Sequence, residues 1–174
     1  MQLYVSGRAP NPRRVKIFLA EKGVSIPETE IDLGALEHKR PDYAALNPVQ
    51  QVPALLLDDG FVITETMAIC RYVEELHPEP PLFGTDAFSR AMVEMWQRRI
   101  EFGLLGTVAA VFRHLHPAMK DMEVPQVAAW GEANKERAAT FLRILEAQLE
   151  GQDFVCGDSF SVADITGLVA LDFM

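Results

Sequence analysis

Hydrophobic positions along the chain keep two rhythms. Up to about residue 77, short apolar runs alternate with stretches of helical spacing, and from about residue 87 helical spacing alone persists. Leu3-Tyr4-Val5 is an aromatic and β-branched run that predicts a strand. Residues 7–12 form a breaker-rich loop. Val15, Phe18 and Leu19 fall at i, i+3 and i+4, one face of a helix, and Gly23 stands where a C-terminal cap glycine belongs. Ile31 and Leu33 alternate with polar neighbours, so residues 30–33 predict a second strand. Residues 35–46 are weakly helical. Residues 53–57 predict a buried strand, Asp58-Asp59-Gly60 a tight turn, and Phe61-Val62-Ile63 its antiparallel return. Ile69, Tyr72, Val73 and Leu76 resume helical spacing. The order β-α-β-α-β-β-α describes a small sheet covered by helices.

Residues 78–86 carry Pro78, Pro80 and Pro81, which cannot continue a helix, so they predict a linker between a 1–77 unit and an 87–174 unit. Beyond it, Phe88, Met92, Met95 and Trp96 repeat at helical spacing. Leu104, Val108, Phe112 and Leu115 continue an apolar face until Pro117. Ala138, Phe141, Leu142, Leu145 and Leu149 predict another helix, ended by Gly151. Ser161 and Asp164 have the spacing of a capping box, with Phe160 and Ile165 as its hydrophobic staple. The helix they start is expected to run off the chain at Met174, leaving the helical unit incomplete at its C-terminus.

Composition narrows the function. Hydrophobic residues at 49% and charged residues at 24% are those of a folded globular chain. The net charge of −9 repels phosphate backbones, and short pieces such as Arg13-Arg14 and His38-Lys39-Arg40 make no basic patch, so no nucleic-acid partner is expected. No run of 18 apolar residues exists, so no membrane association is expected. Residues 1–5 lack the basic flank and long apolar stretch of a secretory signal. Cys70 and Cys156 lie far apart and form neither a disulfide framework nor a metal motif. The expected setting is the cytoplasm, with no metal.

Five segments in this order resemble the glutathione transferase family. They are residues 10–15 with Leu19-Ala20-Glu21-Lys22-Gly23; residues 37–41 with Asn47-Pro48; Val52-Pro53-Ala54-Leu55 with Asp58-Asp59-Gly60; Thr64-Glu65-Thr66-Met67-Ala68-Ile69; and residues 157–165. The resemblance spans nearly the whole chain. It implies an α+β thioredoxin-like N-terminal domain, an all-helical C-terminal domain, glutathione as co-substrate, a small hydrophobic electrophile as second substrate, and a homodimer. Family members run some tens of residues further than this chain.

The resemblance also assigns residues. Glu65 and Thr66 open a helix whose N–H groups and partial positive charge suit the γ-glutamyl carboxylate, while Glu65 can accept from the neighbouring ammonium. The plainer reading is that Thr64 or Thr66 merely caps the helix. The Val52–Pro53 bond is cis in the family, which leaves the Val52 N–H and C=O to pair with the cysteinyl backbone; an ordinary trans proline is the alternative. His38 and Lys39 can hold the glycine carboxylate or form only a solvated charged face, and Gln51 is a weaker donor.

Thiol activation remains. A free thiol has a pKa of about 8.5, and lowering it by ~2 units needs about 2.7 kcal/mol of thiolate stabilisation. The family's usual serine position is Ala9 here, which has no donor. Asn11 is the nearest replacement, and some bacterial branches carry Asn there; it also fits a simple N-cap. Ser6 still belongs to the strand. His114 or His116 could orient a water on the thiol, as in a fungal and bacterial branch, or could simply be surface histidines at a helix C-terminus. Arg8, Arg13 and Arg113 could add positive potential. No cysteine lies in the 6–11 loop, which disfavours mixed-disulfide chemistry; Cys70, Cys156, Met92, Met95 and Trp96 read as packing residues. The expected reaction is addition of the glutathione thiolate to a hydrophobic electrophile. Peroxide or disulfide reduction, and a non-catalytic interaction module, are the alternatives.

Overall fold

The computed structural model describes residues 1–7 and 9–174, which divide into two compact units, Met1–Pro81 and Leu82–Met174. The division falls inside the proline-rich segment.

The first unit is built on a four-stranded mixed sheet in the order β2-β1-β3-β4. Its strands are β1 (Gln2–Val5), β2 (Glu28–Glu30), β3 (Ala54–Leu56) and β4 (Val62–Thr64). Its helices are α1 (Pro10–Glu21), α2 (Pro41–Leu46) and α3 (Thr66–Leu76), with a 3-10 turn at Glu37–Lys39. β1 runs parallel to β2 and antiparallel to β3, and β3 antiparallel to β4. This is the thioredoxin-like arrangement the resemblance implies.

The second strand lies two residues earlier than its alternation suggests. Register explains the shift: Leu3 pairs with Glu28 and Val5 with Glu30, and the Ile31 N–H closes the ladder on the Val5 carbonyl at 2.7 Å. Ile31 and Leu33 then turn into a cluster with Tyr4, Tyr43 and Val52, where Tyr4 and Tyr43 meet edge to face at 6.1 Å. Leu3 and Val5, on the opposite face of β1, are fully enclosed, as are Val15, Phe18, Ile69 and Val73. α1 and α3 pack together, and the buried Lys22 ammonium pairs with Glu74 while donating to the carbonyls of Pro78 and Pro80. Gly23, at φ 63°, takes the left-handed conformation just past α1.

The second unit holds α4 (Ala87–Ile100), α5 (Gly106–Leu115), α6 (Ala128–Leu149) and α7 (Val162–Asp172). α4 and α5 are one continuous rod interrupted by a π-helical turn at Glu101–Leu105. The Thr107 hydroxyl donates to the carbonyls of Gly103 and Leu104 at 3.0 and 2.7 Å, which satisfies the loosened turn. Gly103 is required there, because a Cβ would stand 2.4 Å from the Phe141 ring. Trp96, Ile100, Leu104, Val108, Ala138, Leu145 and Ala163 form the core of this unit.

Several expectations are corrected in this unit. Phe88 is 76% exposed, because the capping box that starts α4 turns it outward: Asp86 accepts from the Phe88 and Ser89 N–H groups at 2.8 and 2.9 Å. α6 begins at Ala128, ten residues before the apolar periodicity announces it. Its first turns bury Gly131 against Leu115 and Asn134 against its own backbone, small and polar contacts that hydrophobic spacing does not register. α7 stops at Asp172 with Phe173 as its C-cap instead of running on through Met174. Its capping box forms as read: the Asp164 carboxylate accepts the Ser161 N–H and hydroxyl, both at 2.8 Å, and also the Val155 N–H at 2.7 Å. Ile165 is fully buried, and Phe160 lies edge to face on Phe154 at 5.6 Å. Across this core the Thr166 hydroxyl donates to the Gln97 side-chain oxygen Oε1 at 2.7 Å.

Candidate active site

Strand register gathers most of the singled-out residues. Tyr4 pairs with Ala54, and Ala54 with Thr64, so the end of β1, the start of β3 and the end of β4 lie side by side. β2, parallel to β1, ends there too. The loop to Asn11, the 31–39 segment with His38 and Lys39, the Gln51-Val52-Pro53 step and the Glu65-Thr66 step therefore all leave one end of one sheet.

Glu65 is the N-cap of α3, at φ 67° and ψ 124°, a conformation that L residues seldom adopt and that costs about 1–3 kcal/mol. Its carboxylate makes no cap bond, and the first bond of the helix runs from the Ile69 N–H to the Glu65 carbonyl at 3.0 Å. Among the described residues, no side chain thus caps the N-terminal turn of α3. Neither Thr64 nor Thr66 caps the helix: Thr66 is the first helical residue, buried, and Thr64 ends β4. Glu65 is exposed.

Val52–Pro53 is cis, and β3 begins only at Ala54. Among the described residues no hydrogen bond engages the Val52 N–H or C=O. The step is held from behind. The Gln51 carbonyl accepts from the Tyr43 hydroxyl at 2.6 Å and from Asn47 Nδ2 at 2.7 Å. Tyr43 and Asn47 are both buried, and burial pushes the Tyr43 phenol up to about 12. Sequence reasoning passed over these two residues. Asn47-Pro48 was a motif without a role, and a carbonyl clamp leaves no periodic trace. The Gln51 side chain itself is exposed.

His38 is 9% exposed, and among the described residues its buried Nδ1 finds no hydrogen-bond partner. Burial, with the Lys39 charge beside it, holds its imidazole below the ordinary 6.5. Lys39 is exposed, and Arg40 is drawn to Glu37 at 3.1 Å. Leu36, at φ 56°, turns the chain into this segment, and the Glu37 carboxylate anchors it on the Asp32 N–H at 2.8 Å.

Ala9, not Asn11, is the N-cap of α1. Pro10 takes the first helical position, where its missing N–H costs nothing, and so moves Asn11 to the second. Asn11 is half-buried, and its Oδ1 accepts from Arg14 Nη1 at 3.1 Å. The loop before it is pinned by the Gly7 N–H on Glu30 at 2.7 Å and by the Ala9 N–H on the Ser6 carbonyl at 3.0 Å. Ser6 is buried, Arg13 is exposed, and Arg8 lies outside the described residues.

The histidines of the second unit are tied locally. His114 Nδ1 accepts the Val127 N–H at 3.2 Å, and its Nε2 stands 3.8 Å from Glu123. His116 is the C-cap of α5; its Nδ1 accepts the Ala118 N–H at 3.2 Å and its ring stacks on Phe112 at 4.8 Å. Arg113 is exposed. Burial pushes the Cys70 thiol up to about 12 and raises that of Cys156 as well, so neither supplies a ready thiolate. Among the described residues no group of three His, Cys, Asp or Glu side chains is placed to hold a metal ion, and no helix is long and apolar enough to cross a membrane.

Comparison with known proteins bears on the family and the fold. The family model "Glutathione S-transferase, N-terminal domain" matches residues 1–75, and "Glutathione S-transferase, C-terminal domain" matches residues 128–174. Glutathione S-transferase 2 of Saccharomyces cerevisiae is 36% identical over 99% of this chain and 76% of its own length. The crystal structure of a glutathione S-transferase domain-containing protein of Marinobacter aquaeolei shares 38% identity, with a TM-score of 0.95 over 99% of this chain and 86% of that one. A Gtt2-class glutathione S-transferase of Vibrio parahaemolyticus shares 36% identity, with a TM-score of 0.86 over 99% of this chain and 81% of that one. With the thioredoxin-like sheet, the helical second unit and full-length likeness in agreement, this chain is a transferase that belongs to the glutathione transferase family.

Proposed function

We propose that the chain binds glutathione at the shared end of β1, β3 and β4 and adds its thiolate to a small hydrophobic electrophile. The observation that carries this reading is the strained, uncapped junction at Glu65-Thr66 beside the unpaired Val52 backbone. The γ-glutamyl carboxylate takes the N–H groups at the start of α3 and the Thr66 hydroxyl, and its ammonium donates to Glu65. The cysteinyl peptide pairs with the N–H and C=O of Val52, just before β3 enters the sheet. His38 and Lys39, with Gln51 beside them, receive the glycine carboxylate.

This pose sends the sulfur toward the loop after β1, where Asn11 Nδ2 is the donor. A charge-assisted hydrogen bond there, with the α1 N-terminus, lowers the thiol pKa and raises the thiolate fraction near neutrality. Asn11 removes no proton; it stabilises the anion once the proton has left to solvent. Catalysis is then thiolate stabilisation plus proximity, with no resident metal. His114 has the lesser part: its Nδ1 is taken by Val127, so only Nε2 could act on a water. The setting is the cytoplasm and the working form a homodimer.

Calorimetry with glutathione tests the reading: saturable heat is expected at submillimolar to millimolar ligand, lost on Glu65→Ala. No heat from a folded chain would overturn it. Turnover of a chlorinated aromatic is expected; binding with turnover of an organic peroxide alone would move the chemistry to reduction.

A further inference from the structure

Arg14 is 1% exposed, among the most completely enclosed large side chains of the molecule. It stands in the first half of α1, where the helix dipole disfavours a cation and burial adds a desolvation cost. Nothing in helix formation explains such a residue. What it does is explicit at one end: its Nη1 donates to Asn11 Oδ1 at 3.1 Å, across one turn. Its charge also acts on the Cys70 thiol of α3, where it opposes that of Glu74.

A guanidinium has only donors. The amide atom facing it must therefore be the oxygen, and the two Nδ2 hydrogens must leave from the other end of the side chain. Without that constraint the amide can turn over and offer a carbonyl oxygen, which repels a thiolate. The cation also draws electron density from the amide and makes its N–H groups better donors. Resting on the reading of Asn11 above, we infer that Arg14 is a positioning residue for the thiol: it grips the Asn11 amide by its oxygen, so that the amide hydrogens are what glutathione sulfur meets.

The test is the titration of bound glutathione, followed by thiolate ultraviolet absorbance on the full chain. Asn11→Ala and Asn11→Asp should both raise the bound thiol pKa by about one unit or more, which is about a tenfold loss of thiolate near neutrality. Asn11→Asp keeps the pairing with Arg14 but has no donor, so a wild-type value in both variants would overturn the role of Asn11 itself. Arg14→Lys and Arg14→Met should raise the pKa in the wild-type background and leave it unmoved in the Asn11→Ala background. A shift that persists without Asn11, or none in folded Arg14 variants while Asn11→Ala does shift, would overturn the positioning role and spare Asn11. Should the Arg14 variants fail to fold, the wild-type complex decides. Nuclear Overhauser contacts from the Asn11 amide hydrogens to the cysteinyl β-protons are expected; contacts from those hydrogens to the Arg14 guanidinium instead would overturn the inference.

Discussion

The two units treat their helix ends differently. In the helical unit, α4 and α7 open in capping boxes made by the molecule's own side chains, while α6 opens at Val127 without one: Asp86 and Ser89 start α4, and Asp164 serves Ser161 and Val155 at α7. Its histidines accept backbone N–H groups within their own loops. In the sheet unit, among the described residues, α3 starts without a side-chain cap behind a strained Glu65, His38 has a buried nitrogen without a partner, and the Val52 backbone is left out of the ladder. The boxes of α4 and α7 go with packing, whereas the open start of α3 stands at the end of the sheet where glutathione binding is proposed.

The sharpest way to break this contrast is to disturb the closed unit and look for loss of stability alone. Ile100→Ala, at a fully buried position, should cost about 2–5 kcal/mol in urea unfolding of the helical unit. A cost under about 1 kcal/mol would show that this core is looser than its enclosure implies. Asp164→Ala removes the acceptor of the Val155 N–H and of Ser161, and should cost about 2 kcal/mol. An unaltered melting temperature would mean that water replaces those bonds.

In the open unit the signs should separate. Glu65→Ala should weaken glutathione binding by about 1.5–3 kcal/mol through loss of a charged hydrogen bond. Glu65→Gly should weaken binding similarly yet raise stability by about 1 kcal/mol, because glycine relieves the φ of 67°. Loss of stability in the glycine variant would count against strain at this junction. The smallest effect concerns acid. His38 is held below 6.5 in the folded state, so the unfolded chain takes up its proton first as pH falls. Its contribution to stability is complete above that ordinary value and is lost as pH drops below it. His38→Gln should flatten urea midpoints between about pH 7 and pH 5, and an equally steep fall in the variant would place the acid-sensitive group elsewhere.

Legibility varied with the kind of signal. Periodicity and punctuation placed the strand–helix order, the hairpin at residues 58–60 and the α7 box. They missed the start of α6, where glycine and asparagine make the contacts, and they set β2 late, because Ile31 and Leu33 alternate beyond the ladder. At the site, Glu65-Thr66, Val52-Pro53 and His38-Lys39 were legible as motifs. Asn11 was legible as a residue type, but its helix position was not, since that depended on Pro10 taking the first turn. Tyr43 carried no pattern, and Asn47 and Arg14 stood in family-like segments without a role. Each acts on a group three to eight residues away through folded geometry.

By itself the sequence determined which segments are strand or helix, where the proline-rich joint lies, and which residue types could meet a peptide-like anion, because propensity, caps and spacing are local. Tertiary structure alone decided that those residues share one end of the sheet. It also decided that Glu65 opens α3 without a side-chain cap and that the Arg14 side chain is enclosed. Strand register and burial join positions far apart in the chain, and no window along the sequence contains them together.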